Sequence, residues 1–243
     1  AKTNEVASFS AFFRDVHEAY DVLFEIVMTD AGMTSKGNAD AVHTANKAYV
    51  MALKDNQPEL LAEAKRLLLP RMEAPDAETP WEPYQGKKIR RRLFRTTAIE
   101  GYHEWQHLKQ AWLVEQTTQE SDGAETVERR FFVTNLRWGR LSASQILTLV
   151  RAHWGIENDV FWSLDVQWLE DAVPWCSSGK AVETLSWLRI MAYNLLQLAR
   201  KRHLRPRRGE DRSDPPPPWR RVFEWVKQAL RLDMEPRSAT AVG

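Results

Sequence analysis

Asp30 follows the apolar run Val22-Leu23-Phe24-Glu25-Ile26-Val27-Met28 and Thr29. The length and branched content of that run predict a buried strand. Asp30 then stands at the strand's carboxyl end, which is where α/β sheets bind ligands. A carboxylate there suits a hard divalent cation such as Mg²⁺, which takes oxygen donors. It suits a helix N-cap or a solvated turn as well, and pattern alone leaves these readings open. A second acidic group is denser. Glu157, Asp159, Asp165, Glu170 and Asp171 place five acids in fifteen residues, with no Lys or Arg among them and with Phe161, Trp162 and Trp168 interleaved. Crowded carboxylates raise one another's pKa unless a metal ion compensates them. The other reading is an exposed acidic helix face, against which the aromatic residues argue because they favour burial.

Basic residues cluster twice. The first cluster is Lys87-Lys88-Ile89-Arg90-Arg91-Arg92 with Arg95; the second, Arg200 to Arg221, holds nine basic and three acidic residues. On a strand, alternation puts Lys88, Arg90 and Arg92 on one face. Such a row fits phosphate contact, which positions DNA without reading its sequence; a solvated strand face is the alternative. His103 and His107 have a spacing that can bind zinc, but no third ligand is apparent, so the pair reads as surface or core. Cys176, the single cysteine, reads as a packing residue and excludes an internal disulfide. There is no Gly-rich phosphate loop.

The elements that must carry these groups follow from hydrophobic period. Residues 8–20 have helical spacing through Phe9, Phe12, Phe13, Val16 and Tyr20. Residues 34–46 predict a helix capped by Thr34 or Ser35, and Tyr49 to Leu53 a second buried strand. Residues 57–69 predict a strong helix, with Pro58 in its first turn. Strand, helix, strand, helix with short links reads as α/β with parallel strands. The proline-rich stretch 70–86 reads as a linker. Ile89–Thr97, Ala111–Gln116 and Val127–Val133 then read as three antiparallel strands inserted into that plan. Helical spacing returns over 142–165 and 180–203. Residues 204–218, with four consecutive prolines, read as a stiff basic connector, and 219–232 as a last amphipathic helix.

The chain has 243 residues, suited to one or two domains, with 43% hydrophobic and 28% charged residues, so global disorder is excluded. The net charge of +1 excludes a uniformly basic or acidic coat. Residues 1–86 hold 8 basic and 14 acidic residues and the remainder 26 and 19, so the second part is the expected polyanion contact. No signal-peptide pattern and no run of 18 apolar residues occurs, which leads to the expectation of a soluble, intracellular chain with no membrane partner.

Four stretches, in order, carry a family resemblance: Lys2-Thr3-Asn4-Glu5-Val6; Val27-Met28-Thr29-Asp30-Ala31; Tyr49-Val50-Met51-Ala52-Leu53-Lys54-Asp55-Asn56-Gln57-Pro58; and Arg151-Ala152-His153-Trp154-Gly155-Ile156-Glu157-Asn158, continuing to Glu170-Asp171. The chain resembles the bacterial insertion-sequence transposases of the DDE class, in the subgroup that includes the H-repeat-associated proteins. The resemblance implies an RNase H-like α/β core, interrupted by an antiparallel β insertion and followed by C-terminal helices. The implied segments are 1–69 for the first part of the core, 70–140 for linker and insertion, 141–203 for the helices bearing the glutamate, and 204–243 for the connector and last helix.

It further implies three metal-binding carboxylates, of which Asp30 matches the second aspartate and Glu157 the glutamate. These would hold two Mg²⁺ (or Mn²⁺) ions for DNA strand cleavage at transposon ends and strand transfer into target DNA. Lys54, Asn56, Gln57, Arg151 and His153 join Lys88, Arg90 and Arg92 as expected DNA contacts. A homodimer in a synaptic complex and a cytoplasmic, nucleoid-associated location are the family expectation. The Tyr-Arg-Glu-Lys signature of related transposases is not matched, because His153, Val150 and Leu164 occupy the corresponding positions. In the family the first aspartate lies upstream of the Lys-Thr-Asn-Glu stretch. The expectation is therefore a chain truncated at its N-terminus and catalytically incomplete alone. A non-catalytic DNA-binding remnant and an RNase H-like nuclease unrelated to transposition are the alternatives.

Overall fold

Helix α1 (Glu5–Tyr20) is followed by β1 (Ile26–Thr29), α2 (Lys36–Thr44), β2 (Ala48–Leu53) and α3 (Pro58–Leu68). The structure is a computed structural model that describes residues 5–84, 86–155, 178–203 and 219–234. β1 and β2 are parallel, paired from Ile26 with Ala48 to Thr29 with Met51. β1 is shorter than the apolar run that predicts it. Asp21–Leu23 form a 3-10 turn, with Val22 and Leu23 exposed, and the chain enters the sheet only where β2 supplies a partner. Helix α2 is capped by Ser35, whose Oγ accepts the Asn38 amide at 3.2 Å. Helix α3 has Pro58 in its first turn and buries Leu60, Leu61, Ala64 and Leu68.

The stretch predicted as a linker contains two short strands, β3 (Ala77–Glu78) and β4 (Glu82–Tyr84), which pair antiparallel with one edge of β5 (Lys87–Thr96). β6 (Gln110–Gln119) and β7 (Glu125–Thr134) complete a three-stranded antiparallel meander. The meander is continuous with the parallel pair. β7 pairs antiparallel with β2, from Val50 with Thr134 to Leu53 with Phe131. One seven-stranded mixed sheet results, in the order β1-β2-β7-β6-β5-β3, with β4 also on β5. β2, with four of its six residues buried, lies inside this sheet, as its near-continuous apolar sequence requires. β7 residues Glu125 to Arg130 run past the last β2 pair, at Leu53. The meander thus overhangs the carboxyl end of the parallel pair, the same end that carries Asp30.

Alternation divides the sheet into two faces. Tyr49, Met51, Leu53, Phe94, Leu113, Phe131 and Val133 form one apolar face, packed with Phe9 and Phe13 of α1, Val42 of α2 and Leu60, Leu61, Ala64 and Leu68 of α3. Val50, Leu93, Trp112, Val114 and Phe132, of opposite parity, are buried on the other face. Helix α4 (Ala143–Gly155) follows and buries Ile146, Leu147 and Val150.

The chain divides into two units, residues 1–153 and 154–243. In the second, α5 (Gly179–His203) and α6 (Trp219–Met234) contribute a small cluster of Tyr193, Trp219 and Val222, with the Tyr193 and Trp219 rings 5.2 Å apart. Among the described residues no helix is long and apolar enough to cross a membrane. Glu157 and the acidic stretch 157–171, Cys176 and the basic connector 204–218 lie outside the described residues.

Candidate functional site

Asp30 directly follows β1 in an extended conformation, with φ −68° and ψ 164°. It occupies the cap position of a 3-10 turn, Ala31–Met33, yet its side chain makes no capping hydrogen bond. Its carboxylate instead projects toward Lys54, with Oδ1 at 4.0 Å from Nζ, and both side chains are more than half exposed. An exposed pair at that distance contributes about 1 kcal/mol or less, so both groups are open to exchange partners. Lys54 follows the last residue of β2, so the parallel pairing is what brings these two side chains together.

The turn after Asp30 is held from two sides. The Met33 amide bonds to the Asp30 carbonyl at 3.1 Å and the Thr34 amide to the Ala31 carbonyl at 3.0 Å. From α2, Asn38 Nδ2 donates to the Met33 carbonyl at 2.8 Å. From the segment after β2, Asn56 Nδ2 donates to the carbonyls of Ala31 at 2.6 Å and Thr34 at 3.2 Å. Gln57 Nε2 also donates to the Thr34 carbonyl at 3.2 Å, and Thr34 Oγ1 donates to the Ala52 carbonyl at 2.6 Å. Thr34 is 1% exposed, and these bonds are partly buried. Thr29 Oγ1, beside Asp30, is buried without a hydrogen-bond partner among the described residues.

The basic row of β5 has the expected common face, but two of its three members have partners. Arg90 pairs with Glu78 at 3.1 Å and lies over the Trp81 ring. Arg92 donates to Glu115 through Nε at 3.0 Å and also through Nη2. Glu115 is 2% exposed and sits in register between Arg92 and Arg129, whose Nε reaches its other oxygen at 2.9 Å. Burial pushes the Glu115 carboxyl up, and the hydrogen bonds from Arg92 and Arg129 more than offset it, holding the group below the usual carboxylate range. Lys88, nearer the tip of the meander, is exposed and has no ion-pair partner among the described residues. Arg151 donates to Glu82 at 2.8 Å, and Glu82 also faces the buried Arg91 at 3.4 Å. His153 lies in the last turn of α4.

His103 and His107 do not share a site. His107 stacks on His43 with centroids 3.7 Å apart, while His103 meets Tyr102 edge-on. Sequence spacing gives no sign of the His43 pair, because its members are 64 residues apart. Asn135 fixes the ring. Its Oδ1 accepts the Tyr49 amide at 2.8 Å, so its Nδ2 faces the Lys47 carbonyl and His43 Nδ1. His43 and Asn135 line a groove of about 570 Å³ with Glu25, Lys47, Arg137 and Arg140. The groove opens at the amino end of β1 and β2, opposite Asp30. Among the described residues no three His, Cys, Asp or Glu side chains converge in a metal-binding arrangement.

A mixed α/β sheet thus carries an exposed aspartate at the end of one strand with a lysine facing it. The model of the transposase DDE domain matches residues 1–195. The chain belongs to the DDE transposase family, in its insertion-sequence branch. It is 26% identical over 206 residues to YncI of Escherichia coli O157:H7, a protein named as a transposase, a match covering 81% of this chain and 51% of YncI. It is 27% identical over 207 residues to YbfL of Escherichia coli strain K12, covering 80% and 52%. It is 26% identical over 207 residues to the H repeat-associated protein YhhI of the same strain, covering 80% and 53%. The chain thus spans about half the length of each of these relatives.

Proposed function

We infer that the chain is part of a metal-dependent DNA transposase whose sheet is an RNase H-like core and whose β1 ends in one of the catalytic carboxylates. The observation that supports this most directly is the state of Asp30. It closes a strand, its oxygens cap nothing, and a cation faces it at 4.0 Å. A half-exposed carboxylate is a hard donor of the kind Mg²⁺ or Mn²⁺ takes, and Asp30 would be one protein ligand. Glu157 would be a second, at the position that the family motif gives it. A bound divalent ion supplies Lewis-acid stabilisation of a phosphoryl oxygen and an activated attacking hydroxyl.

The chain's own residues do the rest. Lys54, more than half exposed, would contact a DNA phosphate. Exposed Lys88 would contribute a positioning phosphate contact from the meander, with Arg90 on the same strand and Arg151 on α4 as further contacts. Arg92, joined to a buried carboxylate, acts in holding the meander together. In this reading the family's first aspartate is not among these 243 residues, and the chain alone would bind DNA without cutting it. In this reading the transposon ends and target DNA are the partners, and a synaptic homodimer is the working assembly. The outer edge of β1 pairs with no strand among the described residues and would accept one bearing that aspartate.

The test is a Mn²⁺ titration of the chain, followed by the electron paramagnetic resonance of the free ion, beside a DNA-nicking assay. Asp30→Asn and Glu157→Gln are each expected to weaken Mn²⁺ binding, with no nicking by any form. Nicking by the unaltered chain that Glu157→Gln abolishes overturns the incompleteness. Mn²⁺ binding unaffected by Asp30→Asn and Glu157→Gln overturns the catalytic assignment.

A further inference from the structure

The amides of Asn56 and Gln57 sit beside Asp30, and their geometry decides between two roles. As DNA contacts they would offer N–H donors to phosphate oxygens. Asn56 cannot do so. Its amide has two N–H groups, and both are directed inward, one at the Ala31 carbonyl at 2.6 Å and one at the Thr34 carbonyl at 3.2 Å. What remains is Oδ1, an acceptor, which has nothing to offer a phosphate oxygen. Gln57 directs one of its two donors to the same Thr34 carbonyl.

We propose that Asn56 and Gln57 are positioning residues that clamp the Asp30 turn to the end of β2 and so hold the Asp30 carboxylate opposite Lys54. Three features carry the proposal. The clamp closes on both ends of the turn, since Ala31 and Thr34 flank it and Asp30 immediately precedes Ala31. The Asn56 bonds and the Thr34 hydroxyl bond to the Ala52 carbonyl lie side by side, so the turn has no free hinge toward β2. On the opposite side Asn38 holds the Met33 carbonyl, and Asp30's side chain faces solvent together with Gly32. A donor amide placed this way does what an outer-shell group does for a metal ligand: it fixes the ligand's orientation before the ion arrives. This role rests on the reading of Asp30 as a metal ligand.

The experiment uses the full chain with Asn56→Ala, and Gln57→Ala as a milder second variant should the first fail to fold. Hydrogen exchange reads the amides of Met33 and Thr34, which are bonded inside the turn. With Asn56→Ala these two are expected to exchange about tenfold faster, and the thermal midpoint to fall by about 3–6 °C for the same loss. Mn²⁺ affinity is expected to fall about tenfold, the lower end for an outer-shell loss. The salt dependence of DNA binding is expected not to change. Gln57→Ala should act in the same direction by about threefold. Unchanged exchange at Met33 and Thr34, or a DNA salt slope reduced by about one, overturns the proposal. An Asp30→Asn control that leaves Mn²⁺ binding intact overturns the ligand reading instead, and the exchange data still decide the clamp by themselves.

Discussion

Replacing Arg92 with alanine separates two roles that a basic strand row can have. If Arg92 were a phosphate contact, its loss would weaken DNA binding and reduce the salt slope by about 0.9 for one released counterion. The structure gives it another role. Two of its donors meet Glu115, which is 2% exposed. Without Arg92 the buried carboxylate keeps, among the described residues, only the Arg129 hydrogen bond at 2.9 Å, from a side chain that is half exposed. Breaking a buried pair costs about 3–5 kcal/mol. The surviving Arg129 bond and the partial exposure of Arg92 reduce that to about 2–3 kcal/mol. For a unit of this size the thermal midpoint should fall by about 5–10 °C. Lys88→Ala, on the same face but exposed, should do the reverse, lowering the salt slope by about 0.9 with a midpoint shift inside about 2 °C. Thermal melts, and fluorescence anisotropy of a labelled duplex across a salt series, measure both. An Arg92→Ala protein with an unchanged midpoint and a reduced salt slope would refute the reasoning.

Two further outcomes follow from groups elsewhere in the molecule. The His43 pKa is held below its usual value by burial first and then by His107 and Lys109, against the opposing Asp40. A depressed histidine contributes stability that is fully present above the unfolded pKa of about 6.5 and is lost as pH falls through the folded value. The urea midpoint should therefore decline from pH 7 to pH 5, and His43→Gln should flatten that decline; an equal decline in both proteins would exclude His43 as the cause. Asp30→Asn should leave the fold nearly untouched, changing stability by less than about 1 kcal/mol because the Lys54 pair is exposed. A midpoint drop beyond about 5 °C would show that Asp30 has a structural role instead.

Much of this architecture is legible in the residues themselves. The all-apolar Tyr49-Val50-Met51-Ala52-Leu53 declares a strand buried on both faces, and the leucine spacing over 57–69 declares α3, because both are local patterns of burial. The position of Asp30 at a strand end is legible for the same reason. Four things are not. The start of β1 at Ile26, not Val22, depends on where β2 begins to pair, which is a long-range fact. The fusion of the meander to β2 through β7 joins residues about 80 apart in sequence, and no local signal reports it. The internal pairing of Arg90 and Arg92 depends on Glu78 and Glu115 arriving across strands, so a run of basic residues looks freer in sequence than it is. The inward-turned donors of Asn56 are likewise invisible in the stretch Lys54 to Pro58, whose family resemblance suggested contact with DNA.

The overhang of the meander sets a spacing. From Phe131, level with the end of β2, to Glu125, level with Gln119 and Lys88, is six residues of extended chain, or roughly 20 Å. β7 is hydrogen-bonded to β2 along one side and to β6 along the other, with no flexible joint between them. The sheet is in that sense a fixed ruler. Lys88 stands on β5, four strands across the sheet from β1 and Asp30, or roughly 19 Å at the usual interstrand spacing. The number of residues by which β7 outruns β2 therefore fixes how far the tip of the meander stands beyond the end of the parallel pair.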